Sequence, residues 1–155
     1  MDPEESNALF QDIRSLALRY RNATGKPLGV TGELAELAAS QILGVELAPA
    51  RTAGFDGWLV RGGDRLRVQI KGRAVPWATR YVGRCPAIKC GDQFDIVLLI
   101  LVDNQTMQPR EIWEADEKDI VARLSVPGSR SRNERHSMGI SQFKSIARLI
   151  WSDTP

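Results

Sequence analysis

Three polar residues, Asp56, Gln69 and Lys71, are brought together by a turn that the sequence itself specifies. Gly62-Gly63 is a dipeptide favoured by two-residue primed turns, and it separates two short runs of alternating polarity. In that register Arg61 faces Asp64, Trp58 faces Arg67 and Asp56 faces Gln69, with opposed Cα atoms about 4.5–5.5 Å apart and both side chains on one face. Lys71 projects from the same face, while Leu66, Val68 and Ile70 alternate onto the other. A carboxylate, an amide oxygen and an ammonium group therefore converge, a set that could carry chemistry. The same residues, Arg67, Gln69, Lys71 and Arg73, also fit the solvated side of an ordinary amphipathic strand. A second acid favours the first alternative. At about 100° per helical residue, Leu37, Leu34 and Ala38 fall at about 40°, 100° and 140° from Glu33, so Glu33 borders the buried stripe and can lean toward Asp56. Glu36 falls at about 300° on the same wheel, further into solvent, and is the second choice.

The elements that must hold these groups follow from periodicity and punctuation. Asp2-Pro3-Glu4-Glu5 reads as a cap, a first-turn proline and two acids on the positive end of a helix dipole. A helix over about 4–21 carries Leu9, Phe10, Ile13, Leu16, Ala17 and Tyr20, and Gly25 and Pro27 end it. Thr31 can cap a second helix running to about Leu43, stopped by Gly44. Strands are expected at Val45 to Ala48, Phe55 to Val60 and Leu66 to Ala74. Phe94 to Val102, apolar throughout apart from Asp95, reads as a central strand covered on both faces, with Glu111 to Trp113 as a shorter neighbour. Asp116 caps a helix to Leu124. A basic loop over 127–137 then leads to a closing helix marked by Phe143, Ile146, Ala147 and Ile150. The order predicts one α/β domain over residues 1–155, a mixed central sheet flanked by helices.

Composition narrows the function classes. The 155 residues are 43% hydrophobic and 26% charged, an ordinary globular balance. Lys and Arg number 21 against 19 Asp and Glu, so bulk charge does not argue for nucleic-acid binding and any basic site must be local. Sixteen of those cations are Arg, the side chain that grips phosphate or carboxylate with a planar fork. The longest apolar run is far short of the roughly 20 residues that span a bilayer, and the acidic start differs from a secretory signal. A cytoplasmic location is expected, with no membrane partner and with Cys85 and Cys90 reduced. Those two cysteines and the single His136 could supply only part of a zinc site.

The order of motifs adds a resemblance. Gly32-Glu33 on a helix, then Gly54-Phe55-Asp56-Gly57, then Gln69-Ile70-Lys71-Gly72-Arg73 resembles the restriction-endonuclease-like PD-(D/E)xK nuclease superfamily, in a little-characterised branch with Gln in place of the third acid. Phe94-Asp95-Ile96 opening an apolar strand and Arg110-Glu111-Ile112-Trp113-Glu114 continue it, over roughly residues 28–150. The resemblance implies a restriction-endonuclease-like core and a Mg²⁺- or Mn²⁺-dependent nuclease. Asp56, Glu33 and the Gln69 amide oxygen would be the metal ligands, Glu36 standing second to Glu33, because Mg²⁺ prefers oxygen donors. Lys71 would orient the attacking water or stabilise developing negative charge. A neutral amide in place of an acid implies weaker metal affinity.

The substrate expected from this resemblance is nucleic acid, DNA in the first instance. Arg73, Arg80 and Arg84, with Lys89, extend the strand that bears the cluster, and Arg130, Arg132 and Arg135 populate the basic loop beside His136; all could contact phosphates. Trp77 is the better candidate for stacking on a base and Trp58 for packing. The competing expectation is a noncatalytic nucleic-acid-binding or scaffold module that keeps the nuclease fold. A homodimer, or a partner subunit that supplies target recognition, fits the short chain.

Overall fold

The computed structural model describes residues 1–77, 83–91 and 93–153. Helix α1 (Pro3–Thr24) starts as its sequence dictates, with the Asp2 side chain accepting from the Glu4 amide and Glu4 and Glu5 in the first turn. It runs past the expected end near residue 21 to Gly25, whose φ of 72° closes it. Helix α2 (Thr31–Leu43) ends at Gly44 as expected, but Thr31 is its first residue and not its cap; Val30 takes the cap position without a side-chain bond.

Six strands among the described residues form one mixed sheet in which spatial order equals chain order: β1 (Glu46–Leu47), β2 (Gly57–Arg61), β3 (Asp64–Val75), β4 (Ile96–Asp103), β5 (Pro109–Asp116) and β6 (Arg148–Ser152). Only β3 and β4 run parallel. Strand alternation sends Val68, Ile70, Leu98 and Ile100 to one face, where Phe10 of α1 and Leu34, Ala35 and Ala38 of α2 cover them. Val75, Val97, Leu99 and Leu101 go to the other, against Ile88, Ile120 of α3 (Glu117–Leu124) and Phe143 of α5 (Ile140–Ile146). Every residue of β4 from Ile96 to Val102 is buried, which accounts for its unbroken apolar run.

Three expectations need correction. β5 is eight residues long, as long as β4, and not the short Glu111 to Trp113 segment, because it pairs with β4 on one side and β6 on the other. The closing helix stops at Ile146; Ala147 is extended and Ile150 lies in β6, since the edge of β5 offers backbone bonds that further helix would leave unmet. The 127–137 segment is no plain loop: it contains α4 (Arg130–Asn133), capped by Ser129 Oγ on the Arg132 amide. Among the described residues no helix is long and apolar enough to cross a membrane.

The packing of α2 on β3 is set by Gly72. A Cβ there would lie 2.7 Å from Ala35 Cβ and 3.0 Å from the Thr31 carbonyl oxygen, so the helix sits closer than any side chain at 72 permits. Gly72→Ala is expected to cost about 1–3 kcal/mol through overpacking, with Ala35→Gly recovering part of it, measured as shifts in the urea midpoint.

The sheet also holds a fully buried acid. Glu114 on β5 is bonded by the Arg61 guanidinium at 2.7 and 3.0 Å and by Arg148, tying the β2–β3 hairpin to β6. Burial pushes its carboxyl up, but the hydrogen bonds from the two arginines outweigh burial and hold it below the usual carboxylate range. Its stabilisation is therefore present above the unfolded value of about 4.3 and is lost as pH falls through the lower folded value. Glu114→Gln is expected to lower stability at neutral pH and to flatten the acid limb of the stability curve below about pH 4.5, measured by denaturant unfolding across that range.

Candidate active site

The candidate residues meet where β2 stops and β3 continues. The hairpin register is the expected one from Arg61↔Asp64 to Gly57↔Val68. It breaks one residue later, so Asp56 does not face Gln69 as a ladder pair. The Asp56 amide donates to the Val68 carbonyl at 2.8 Å, and its Oδ2 accepts from the Ile70 amide at 2.7 Å. Asp56 thus straddles Gln69, bonded to the residue on each side of it. The cause lies in the glycines around Asp56. At Gly57 a Cβ would meet the Glu46 carbonyl oxygen at 2.6 Å, so β2 passes tightly over the start of β1. Gly54 takes φ +85°, and the Gln93 side chain fills the space where its Cβ would sit.

Gln69 is buried, and its amide orientation is fixed by its neighbours. Nε2 donates to the Gly54 carbonyl at 3.2 Å and to the Lys89 carbonyl at 3.4 Å, which leaves Oε1 buried with no hydrogen-bond partner. An unmet buried acceptor costs about 1–3 kcal/mol, and a small hard cation is one group that would satisfy it. Lys71 follows two residues on, half-buried on the same face, and its ammonium has no ion-pair partner among the described residues.

The exposure of the two helix acids is the reverse of that expected. Glu33 is exposed, whereas Glu36 is half-buried near Asp56. Burial pushes the Glu36 carboxyl above its ordinary value, and the negative charges of Asp56 and Glu33 push it the same way. A wheel drawn through Leu34, Leu37 and Ala38 omits Ala35 and Ala39, which are also buried. Ala35 lies against Gly72 of β3, so the buried face of α2 is wider than that wheel allows and extends toward Glu36. Among the described residues no three His, Cys, Asp or Glu side chains gather closely enough to hold a metal ion. Gln69 turns to the face away from α2, so an ion at the fork would take the orphaned Oε1 together with Asp56, and Glu36 is related to that pair only through the charge of Asp56.

The basic residues are dispersed. Arg73 donates through Nε to the Arg84 carbonyl at 2.8 Å, and Arg84 bonds Ser137, so both brace the segment over the sheet. Arg132 reaches the Val126 and Pro127 carbonyls while Asn133 Nδ2 takes those of Leu124 and Val126, closing the end of α3. Arg130 pairs with Glu134 in solvent, and Arg135 is exposed. Arg80 lies outside the described residues. His136 shares a recess with Leu124, Pro127 and Asn133, with none of the candidate residues. Trp77 carries the Arg110 guanidinium over its ring at 5.1 Å, and Trp58 packs between Phe55 and Arg65. Both cysteines are free; burial pushes the Cys85 thiol up to about 12. The carbonyls of Gly54 and Lys89, which aim the Gln69 amide, escaped the sequence analysis; the glycines flanking Asp56 were the available signal for the first.

The chain matches no protein-family model, and no curated protein sequence matches it.

Gln69→Glu separates the two demands on this side chain. Its carboxylate would lose the donors to Gly54 and Lys89, so the metal-free variant is expected to be about 1–3 kcal/mol less stable. Added Mn²⁺ should raise its melting temperature more than that of the wild type, measured by scanning calorimetry with and without the ion.

Proposed function

We propose that this chain is a metal-dependent nuclease with a restriction-endonuclease-like core, hydrolysing phosphodiester bonds in DNA with Mg²⁺ or Mn²⁺. The observation that carries the reading is the Gln69 amide: its nitrogen is tied to two carbonyls and its buried oxygen is left without a donor beside Asp56. Two further features support it. The mixed sheet flanked by helices is the architecture that the sequence resemblance implies. Asp56 and Gln69 meet at one fork of the sheet, Lys71 shares the Gln69 face, and the Asp56 charge reaches Glu36 on α2, which covers the opposite face.

In this reading Asp56 and the Gln69 oxygen would hold the ion, with Glu36, whose carboxyl feels the Asp56 charge, as the α2 acid to complete the set and Glu33 second to it. When bound, the ion lowers the pKa of the attacking water and offsets charge on the phosphorane and leaving oxygen. The chain's own residues do the positioning. The Ile70 amide anchors one oxygen of Asp56 and leaves the other unbonded among the described residues. The Gly54 and Lys89 carbonyls aim Gln69. Lys71 supplies a compact cation that orients the water or stabilises the developing oxyanion without reorganising at the moment of reaction.

The experiment incubates the purified protein with plasmid, single-stranded DNA and RNA, with and without Mg²⁺ or Mn²⁺. Lys71→Met keeps the stem and removes the charge; cleavage is expected to fall about 10²- to 10³-fold with binding nearly intact. Asp56→Asn keeps an acceptor for the Ile70 amide and removes the charge, and is expected to abolish the stabilisation that the ion confers on the wild type. Absence of metal-dependent cleavage on every substrate, with Lys71→Met weakening binding in step with Arg73→Ala, would identify a noncatalytic binding module instead.

A further inference from the structure

Helix α1 carries two apolar stripes, and the fold uses one. Ser6, Phe10 and Ala17 are buried against α2 and the sheet, with Ile13 packed at their margin. Leu9, Leu16 and Tyr20 are left 40%, 52% and 39% exposed. At about 100° per residue, Leu9, Ile13, Leu16 and Tyr20 form a single strip roughly 60–120° around the helix from Phe10 on one side. Their spacing of four, three and four is that of a coiled-coil seam. Arg14 holds the opposite flank to the Thr106 carbonyl at 2.6 Å, so the strip faces away from the β4–β5 turn. Scattered exposed leucines need no explanation, but an unbroken strip along a 22-residue helix marks a contact surface.

The charges beside the strip indicate what covers it. Asp12 and Arg19 flank it one heptad apart, both exposed and neither ion-paired among the described residues. The positions on the other side of the seam are Phe10 and Ala17, already buried in the chain's own core. A parallel partner would set Asp12 and Arg19 beside those buried positions, where no charge answers them. An antiparallel copy of the same helix sets Ile13 against Leu16 of the second copy and Tyr20 against its Leu9. The charged flanks then face each other, and Asp12 meets Arg19 of the second copy at both ends of a two-fold axis.

We propose that two copies of this chain associate through α1, antiparallel, along the Leu9–Ile13–Leu16–Tyr20 seam with reciprocal Asp12–Arg19 pairs. This surface is self-complementary, as a two-fold interface requires, and it stands independently of the nuclease reading. Sedimentation equilibrium over a concentration series is expected to show the wild type at twice the 17.2 kDa of the chain. Leu16→Glu, at an exposed position that the monomer's core does not need, should weaken association at least about 30-fold with unchanged circular dichroism. Asp12→Arg and Arg19→Asp should each weaken it by like-charge contact, and the double variant should restore it. A wild type monomeric at every concentration, or a dimer indifferent to Leu16→Glu, overturns the interface. A dimer broken by Leu16→Glu whose charge reversals are not rescued by the double variant overturns the antiparallel arrangement.

Discussion

The backbone amide of Ile70 has no strand to bond, and the arrangement of the candidate site depends on what meets it. β3 is twelve residues long and β2 only five, so β2 leaves the ladder at Gly57 opposite Val68. Along β3 the odd-numbered residues turn their backbone groups to β4: Asp95 N donates to Arg67 O at one end and Asn104 N to Val75 O at the other. The even-numbered ones turn toward β2, which has ended. The Asp56 carboxylate takes the first of these orphaned amides, doing with a side chain what a continued strand would have done with its backbone. An acid is thereby fixed at the fork, its backbone amide on Val68 and its side chain on Ile70, with Gln69 enclosed between them.

The acids elsewhere in the sheet show by contrast what is unusual about the fork. Glu114 is buried and Asp95 partly so, and each is met by arginine: Glu114 by Arg61 and Arg148, Asp95 by the backbone and guanidinium of Arg67. Both carboxyls are held below their ordinary range, Glu114 because its arginine hydrogen bonds outweigh burial and Asp95 chiefly through its hydrogen bond with the Arg67 side chain. Glu36 goes the other way, raised by burial and then by Asp56 and Glu33. Glu111, enclosed on the same strand as Glu114, is met by Lys144 and the Trp113 indole. The fork, by contrast, sets the Asp56 charge and the partnerless Gln69 oxygen close together with no cation bonded to either among the described residues. Part of the arginine bias of the composition has internal uses. Arg61, Arg67 and Arg148 neutralise acids, while Arg73, Arg84 and Arg132 hold backbone carbonyls.

Much of the scaffold was legible because local chemistry decides it. Asp2, Pro3 and Gly25 bound α1, Gly62-Gly63 sets the hairpin register, and the unbroken run to Val102 marks a strand buried on both faces. Where reading failed, a distant partner had decided. Residues 148–152 carry a helix-compatible pattern, but β5 presents an edge whose backbone groups need partners, so they form β6. Arg132 and Asn133 read as loop residues, but the carbonyls ending α3 recruit them.

For the candidate site the division is sharper. Periodicity alone determined that Gln69 and Lys71 share a face and that the Gly62-Gly63 turn carries the chain back past Asp56, because alternation and turn type depend only on neighbouring residues. Tertiary structure decided that Asp56 bonds across Gln69 and not opposite it, since the break in the ladder depends on how closely Gly57 passes the Glu46 carbonyl. It also decided that Glu36 is half-buried and feels the Asp56 charge while Glu33 stays exposed, in a helix whose Ala35 lies against the bare backbone of Gly72. Both involve close contacts between separate segments, and such contacts are a property of close packing that no local pattern encodes.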